Sequence, residues 1–143
     1  MRNSLAKAIR IAAEAFENKT DKGGNPYILH CLHVMNQVSY LGEDAMIIAV
    51  LHDLLEDTQW TEHMLVTEGF SQEVIDNIKC MTHSSKEDYM VYIKRIALND
   101  NVRKIKMADL CHNSDITRMK GLTKKDFDRL EKYHIAYEYL REP

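Results

Sequence analysis

The segment His52-Asp53-Leu54-Leu55-Glu56-Asp57 sets one imidazole and three carboxylates directly after the apolar run Ala45-Met46-Ile47-Ile48-Ala49-Val50-Leu51. A run that apolar belongs in a buried helix. Isolated charges in a low-dielectric interior cost on the order of several kcal/mol unless they are paired or bound to metal. A divalent cation is the natural compensation. On one helix continuing to Glu56, at about 100° per residue, all four polar residues share a face. His52 and Glu56 are four residues apart, as are Asp53 and Asp57. An adjacent His-Asp pair offers one nitrogen and one oxygen to the same ion. Glu56 and Asp57, a turn later, stand beside that ion and not necessarily on it. Either acid alone would read as a solvent-facing helix end; the His-Asp pair after seven apolar residues does not.

Two other places break an apolar pattern in the same way. His30 follows Ile28 and Leu29, and Asp109 follows Ile105, Met107 and Ala108, with His112 and Asn113 three and four residues on. A lone histidine on an apolar face is usually a hydrogen-bonded core residue, and a lone late aspartate usually faces water. Together, His30, His52, Asp53 and Asp109 offer two imidazoles and two carboxylates from three helices. That donor set suits manganese, iron, magnesium or zinc. Helix bundles build metal sites in this way, from side chains on facing helices.

The elements that must position these groups read as helices. The chain has 143 residues, only 5 Gly and 2 Pro, and no alternating strand pattern, so we expect a single all-α domain over residues 1–143. Ser4 or Asn3 caps a first helix to about Glu17. Residues 19–26 form a loop, and Pro26 opens a second helix that ends at Gly42. A third is expected to run unbroken from Glu43 to Glu56. Thr61 and Ser71 cap the fourth and fifth. Further helices cover Tyr89–Leu98, Val102–Ser114 and Thr123–Leu140, the last opened by a partial capping box with Asp126. A net charge of −3 makes no electrostatic case for nucleic-acid binding. No apolar run reaches the length of a membrane span, and the N-terminus lacks an apolar signal core. A cytoplasmic location is therefore expected. Cys31, Cys80 and Cys111 show no paired spacing and read as reduced thiols behaving as small buried hydrophobes.

Taken in order, His30, His52-Asp53 and Asp109 resemble the H…HD…D pattern of the HD phosphohydrolase superfamily. Gly24-Asn25-Pro26-Tyr27-Ile28-Leu29-His30 resembles G-x-P-Y-I-x-H. Ala49-Val50-Leu51-His52-Asp53-Leu54-Leu55-Glu56-Asp57-Thr58 resembles A-x-L-H-D-x-x-E-D-T. Ile105-Lys106-Met107-Ala108-Asp109-Leu110-Cys111-His112-Asn113 resembles I-K-L-A-D-x-x-H-N. These are motifs of the hydrolase domain of RelA/SpoT-homologue alarmone enzymes, and the resemblance spans about positions 5 to 118. It implies an HD-domain helical bundle and manganese-dependent removal of the 3′-pyrophosphate from guanosine tetra- or pentaphosphate by a small, stand-alone hydrolase. The chain departs from the family before Pro26. Lys22 matches the family's lysine, but Asp21 stands where the family carries an arginine that stacks on guanine. A carboxylate has no cationic plane for stacking. Leu110 and Cys31 replace the family's basic residue and proline.

The roles expected on this reading are few. His30, His52, Asp53 and Asp109 hold the metal. Glu56 and Asp57 orient water and act as general base or acid. Lys22, Asn113 and Asp21 face the nucleotide substrate, with weaker expectations for Lys106 and Arg118 as phosphate contacts. His112 is either a partner behind the ligands or core, and His33, His63, His83 and His134 are structural or surface residues. A homo-oligomer is compatible with the chain. Two other readings stay open. One is an HD phosphohydrolase acting on an adenine alarmone, a nicotinamide dinucleotide phosphate or a nucleoside monophosphate. The other is a non-catalytic nucleotide-sensing module.

Overall fold

A computed structural model describes residues 3–141. Nine α-helices are found among them: α1 (Leu5–Ala15), α2 (Ile28–Gln37), α3 (Glu43–Val50), α4 (Leu54–Asp57), α5 (Glu62–Thr67), α6 (Gln72–Cys80), α7 (Tyr89–Ala97), α8 (Asp100–Asn113) and α9 (Lys124–Arg141). Short 3₁₀ turns cover Ser39–Leu41 and Ile116–Arg118. No strand occurs among the described residues, only an isolated bridge between Thr20 and Pro26 that closes the loop before α2. The all-α expectation holds.

The expected caps form. Ser4, Thr61 and Ser71 accept from the backbone N–H three residues on, at 3.1, 3.2 and 3.3 Å. Asp126 accepts from the Thr123 N–H at 2.8 Å while its own N–H faces the Thr123 hydroxyl at 3.4 Å, so the capping box before α9 is reciprocal. Asn3 instead ties the chain start to α6, accepting from the Ser71 N–H at 2.7 Å. Gly42, at φ 102°, takes a conformation that side chains disfavour and separates the first 3₁₀ turn from α3.

Beyond the acidic first turn of Glu43 and Asp44, α3 is apolar on every side, with Ala45, Ile47, Ile48, Ala49 and Val50 all buried. A helix buried all round must sit at the centre. It packs against α1, α2, α6 and α8, while α9 closes over α7 and α8. Of the cysteines only Cys31 is fully buried; Cys80 is half-buried and Cys111 exposed, so the small-hydrophobe expectation holds for one of three.

The unbroken helix expected from Glu43 to Glu56 is not what forms. α3 stops at Val50, the chain turns through Leu51-His52-Asp53, and α4 starts at Leu54. The cause lies in His52, whose Nδ1 engages the Ala49 carbonyl at 2.6 Å. That carbonyl is the one a continuing helix would offer to the Asp53 N–H. The His52 N–H also meets it, at 3.3 Å, in a tighter three-residue step. The ligand pair thus sits on a turn, and the single-face argument for 52–57 is replaced by one about this turn.

Gly23 packs against the second 3₁₀ turn. A Cβ there would lie 1.9 Å from the Arg118 carbonyl oxygen. Backbone cannot yield as a flexible side chain would. Gly23→Ala is therefore expected to destabilise the fold by about 1–3 kcal/mol, read from urea unfolding. An unchanged unfolding midpoint would mean that the two segments do not pack in solution.

Candidate active site

Asp109 is the hub. It is buried on α8, and its Oδ1 lies 2.9 Å from His30 Nε2 and 3.2 Å from His52 Nε2. One ligand atom each from His30, His52 and Asp109 falls within a span of 4.8 Å. Asp53 Oδ2 joins them, 3.0 Å from His52 Nε2 and 3.9 Å from His30 Nε2. The four residues expected to gather do gather, from α2, the 51–53 turn and α8.

The donor chemistry of this cluster fits a divalent cation. His52 engages the Ala49 carbonyl through Nδ1. A neutral imidazole has one N–H, so with Nδ1–H donated outward, Nε2 presents a lone pair inward. His30 shares its Nδ1 proton with His112 Nδ1 at 2.7 Å, which again turns Nε2 inward. His112 can accept because burial, with the Arg118 charge nearby, drives its pKa down to about 4 and leaves it neutral. His112 also stacks on His33, with ring centroids 3.8 Å apart, so it backs His30. Two imidazole lone pairs and two carboxylates converging on one point require positive charge between them. Burial would lower His52, but the Asp53 and Asp109 carboxylates outweigh it and hold the ring well above its usual range.

Surrounding groups aim the carboxylates. The Tyr27 hydroxyl donates to Asp53 Oδ2 in a short hydrogen bond. Lys106 Nζ lies 2.9 Å from Asp109 Oδ2, and Asn113 donates to Oδ1 at 3.0 Å. Burial alone would raise Asp109; Lys106 and His52 overcome it and keep the carboxyl well below its ordinary value. Asn113 and Lys106 therefore touch Asp109 as well as the cavity.

Glu56 and Asp57 stand on α4, past the ligand turn. Glu56 Oε1 accepts from the His83 backbone N–H at 2.6 Å, so His83 positions an acid of the site, a role missing from its reading as a structural or surface residue. Burial, opposed by that N–H and assisted by Asp53 and Asp57, raises the Glu56 pKa. Asp57 pairs with Lys19 at 3.0 Å. Both acids line a cavity of about 250 Å³ with Asp53, Asp109, Lys106 and Lys132.

An adjoining cavity of about 320 Å³ shares Tyr27, Asn113 and Tyr133 with the first and is rimmed by Lys19, Lys22, Arg118 and Arg129. Asp21 lies there, but its carboxylate is fully engaged. Oδ1 accepts from the Gly23 and Asn25 N–H groups at 2.9 Å each, and Oδ2 pairs with Arg118 at 2.9 Å. Arg118 is pinned from its other side by the His112 carbonyl at 2.6 Å. The place where the motif comparison expects an arginine thus holds a carboxylate that fastens an arginine from the far end of the motif region. The sequence reading missed Tyr27, Tyr89, Arg129, Lys132 and Tyr133. The one local signal for the last three is their spacing along α9, three and four residues apart.

Comparison with known proteins places this arrangement. A family model described as an HD domain matches residues 8–116. A Borreliella burgdorferi protein named guanosine-3′,5′-bis(diphosphate) 3′-pyrophosphohydrolase is 31% identical over 144 residues, covering 92% of this chain and 21% of that protein. A Myxococcus xanthus protein named GTP pyrophosphokinase is 30% identical over 125 residues, covering 76% of this chain and 16% of its own length. The chain thus spans about a fifth or less of these relatives. A solved structure, described as a metazoan ortholog of SpoT that hydrolyses ppGpp, superposes with a TM-score of 0.81 at 21% identity, covering 99% of this chain and 89% of that one. With its ligand cluster in place and the family match running through all three motif segments, this chain belongs to the HD-domain family and is related to the RelA/SpoT hydrolases.

Proposed function

We propose that the chain is a manganese-dependent phosphohydrolase that removes the 3′-pyrophosphate from guanosine 3′,5′-bis(diphosphate). The observation that carries this reading is the four-atom cluster around Asp109 Oδ1, with Glu56 and Asp57 on the wall of the same cavity. A bound divalent cation supplies water of lowered pKa and positive charge beside the phosphoryl oxygens. His30, His52, Asp53 and Asp109 would hold it. Glu56, with its raised pKa, takes a proton from the water that attacks the 3′-linked phosphorus and returns it to the 3′ oxygen as that O–P bond breaks, while Asp57, fixed by Lys19, orients the water. Lys22, Lys19, Arg118 and Arg129 give the adjoining cavity a cationic rim for the substrate's other phosphates. Asn113 bridges the two cavities, and Asp21 serves the substrate through Arg118. α9 lies beyond the matched segment yet lines both cavities, which supports treating 1–143 as one working unit.

A second reading, hydrolysis of a different nucleotide, is favoured by one observation: Asp21 where the related motif has arginine. One panel assay decides between them. With manganese present, the guanine bis(diphosphate) should release pyrophosphate faster than its adenine counterpart, and nucleoside monophosphates should release no orthophosphate. Orthophosphate release from a nicotinamide dinucleotide phosphate or a monophosphate would replace the proposal. Tight nucleotide binding with no turnover would make the chain a sensor.

A further inference from the structure

Among the described residues, one buried side-chain polar atom has no hydrogen-bond partner: Tyr89 Oη. A hydroxyl buried without a partner carries a real desolvation cost, and folds rarely keep one without a use. Tyr89 opens α7, directly after the capping Asp88, and lines the same cavity as Asp53, Glu56 and Asp109. Burial pushes its pKa up to about 12, so the group is a protonated donor at neutral pH. Lys132 reaches over it from α9, its ammonium 4.5 Å from the Tyr89 ring centroid and 5.7 Å from that of Tyr133. No carboxylate lies within ion-pair distance of Lys132 among the described residues. The unpartnered Tyr89 O–H and the Lys132 ammonium, free of any carboxylate partner, thus line one cavity together with the carboxylates of the cluster. The fitting occupant is a dianionic group rich in acceptor oxygens.

We propose that Tyr89 and Lys132 form a phosphoryl-binding subsite, which takes the part of a diphosphate that the ligand cluster does not hold. This deepens the phosphohydrolase reading and rests on it for the direction in which the substrate lies. The Tyr89 hydroxyl donates one hydrogen bond to a phosphoryl oxygen, and Lys132 contributes charge. Neither group needs to exchange a proton.

The test uses inorganic pyrophosphate as the probe, with the manganese-loaded full chain, by titration calorimetry. Tyr89→Phe removes one oxygen and nothing else. Its affinity for pyrophosphate should fall about tenfold, equivalent to roughly 1.4 kcal/mol, while its melting temperature without ligand stays level or rises. That pairing is the signature of a binding group, because a group serving the fold loses stability on removal. Lys132→Gln, on an exposed stretch of α9, should lower the affinity by a similar factor. Wild-type affinity in Tyr89→Phe overturns the proposal. If Tyr89→Phe instead melts several degrees lower, Lys132→Gln alone decides, and wild-type affinity there overturns it. The enzymatic reading is judged separately. A wild type that turns over no nucleotide diphosphate, while both variants lose pyrophosphate, would sink the function and leave the subsite standing. Turnover in the wild type with unchanged affinity in the variants would do the reverse.

Discussion

Asp109→Asn is expected to abolish turnover and metal uptake, and also to cost the metal-free fold about 3 kcal/mol of stability. The stability loss separates it from the other ligand variants. Asp109 Oδ2 neutralises Lys106, whose side chain is only 12% exposed and which has no other carboxylate within ion-pair distance among the described residues. Removing the charge of Asp109 leaves that ammonium buried and uncompensated. It also takes away the contact of Oδ1 with both imidazoles. Asp53→Asn should lose metal and activity equally, yet cost roughly 1 kcal/mol or less, since Asp53 is more open and its Tyr27 hydrogen bond survives in the amide. The measurement is urea unfolding of the three metal-free proteins beside manganese binding. Equal midpoints for the two variants would refute the hub assignment. The pH dependence follows with a definite sign. The Asp109 carboxyl titrates well below its unfolded value of 3.8. Its contribution is therefore fully present above that value and is lost as pH falls through the lower folded value. The gap between wild type and Asp109→Asn should hold at neutral pH and narrow in acid below about pH 4.

Glu56→Gln and Asp57→Asn should each lower kcat by ~10²–10⁴-fold while leaving fold and metal in place. The geometry makes these variants conservative. In Glu56→Gln the amide oxygen would still accept from the His83 N–H, so α4 keeps its tie to the segment before α7. The Asp57–Lys19 pair is partly exposed, and such pairs contribute about 0–1 kcal/mol. A rate loss with unchanged metal affinity and melting temperature therefore reports proton transfer and water orientation rather than collapse of the site. Wild-type rates in both variants would reduce these acids to a helix end and remove them from the mechanism. A loss confined to KM would mean instead that they only bind substrate.

The residues of the His–Asp cluster were legible in the amino-acid sequence because the signal is local. His30, His52-Asp53 and Asp109 each interrupt an apolar pattern, and polar groups set into a core need a common purpose. The helix starts were legible for the same reason: a cap needs only a side chain and an N–H three residues away, as at Ser4, Thr61 and Ser71. The break after Val50 was not, because it depends on His52 taking the Ala49 carbonyl from the helix. The substrate side belongs to tertiary structure alone. Asp21 finds Arg118 across 97 residues, and Glu56 finds the His83 N–H across 27. The Tyr89 ring, whose hydroxyl is unpartnered, meets Lys132 only because α9 folds back over α7. Periodicity shows which face of a helix turns inward. What lies opposite that face is decided by the packing of all the helices at once, and there Asp21 becomes the anchor of an arginine and Tyr89 a donor awaiting an acceptor.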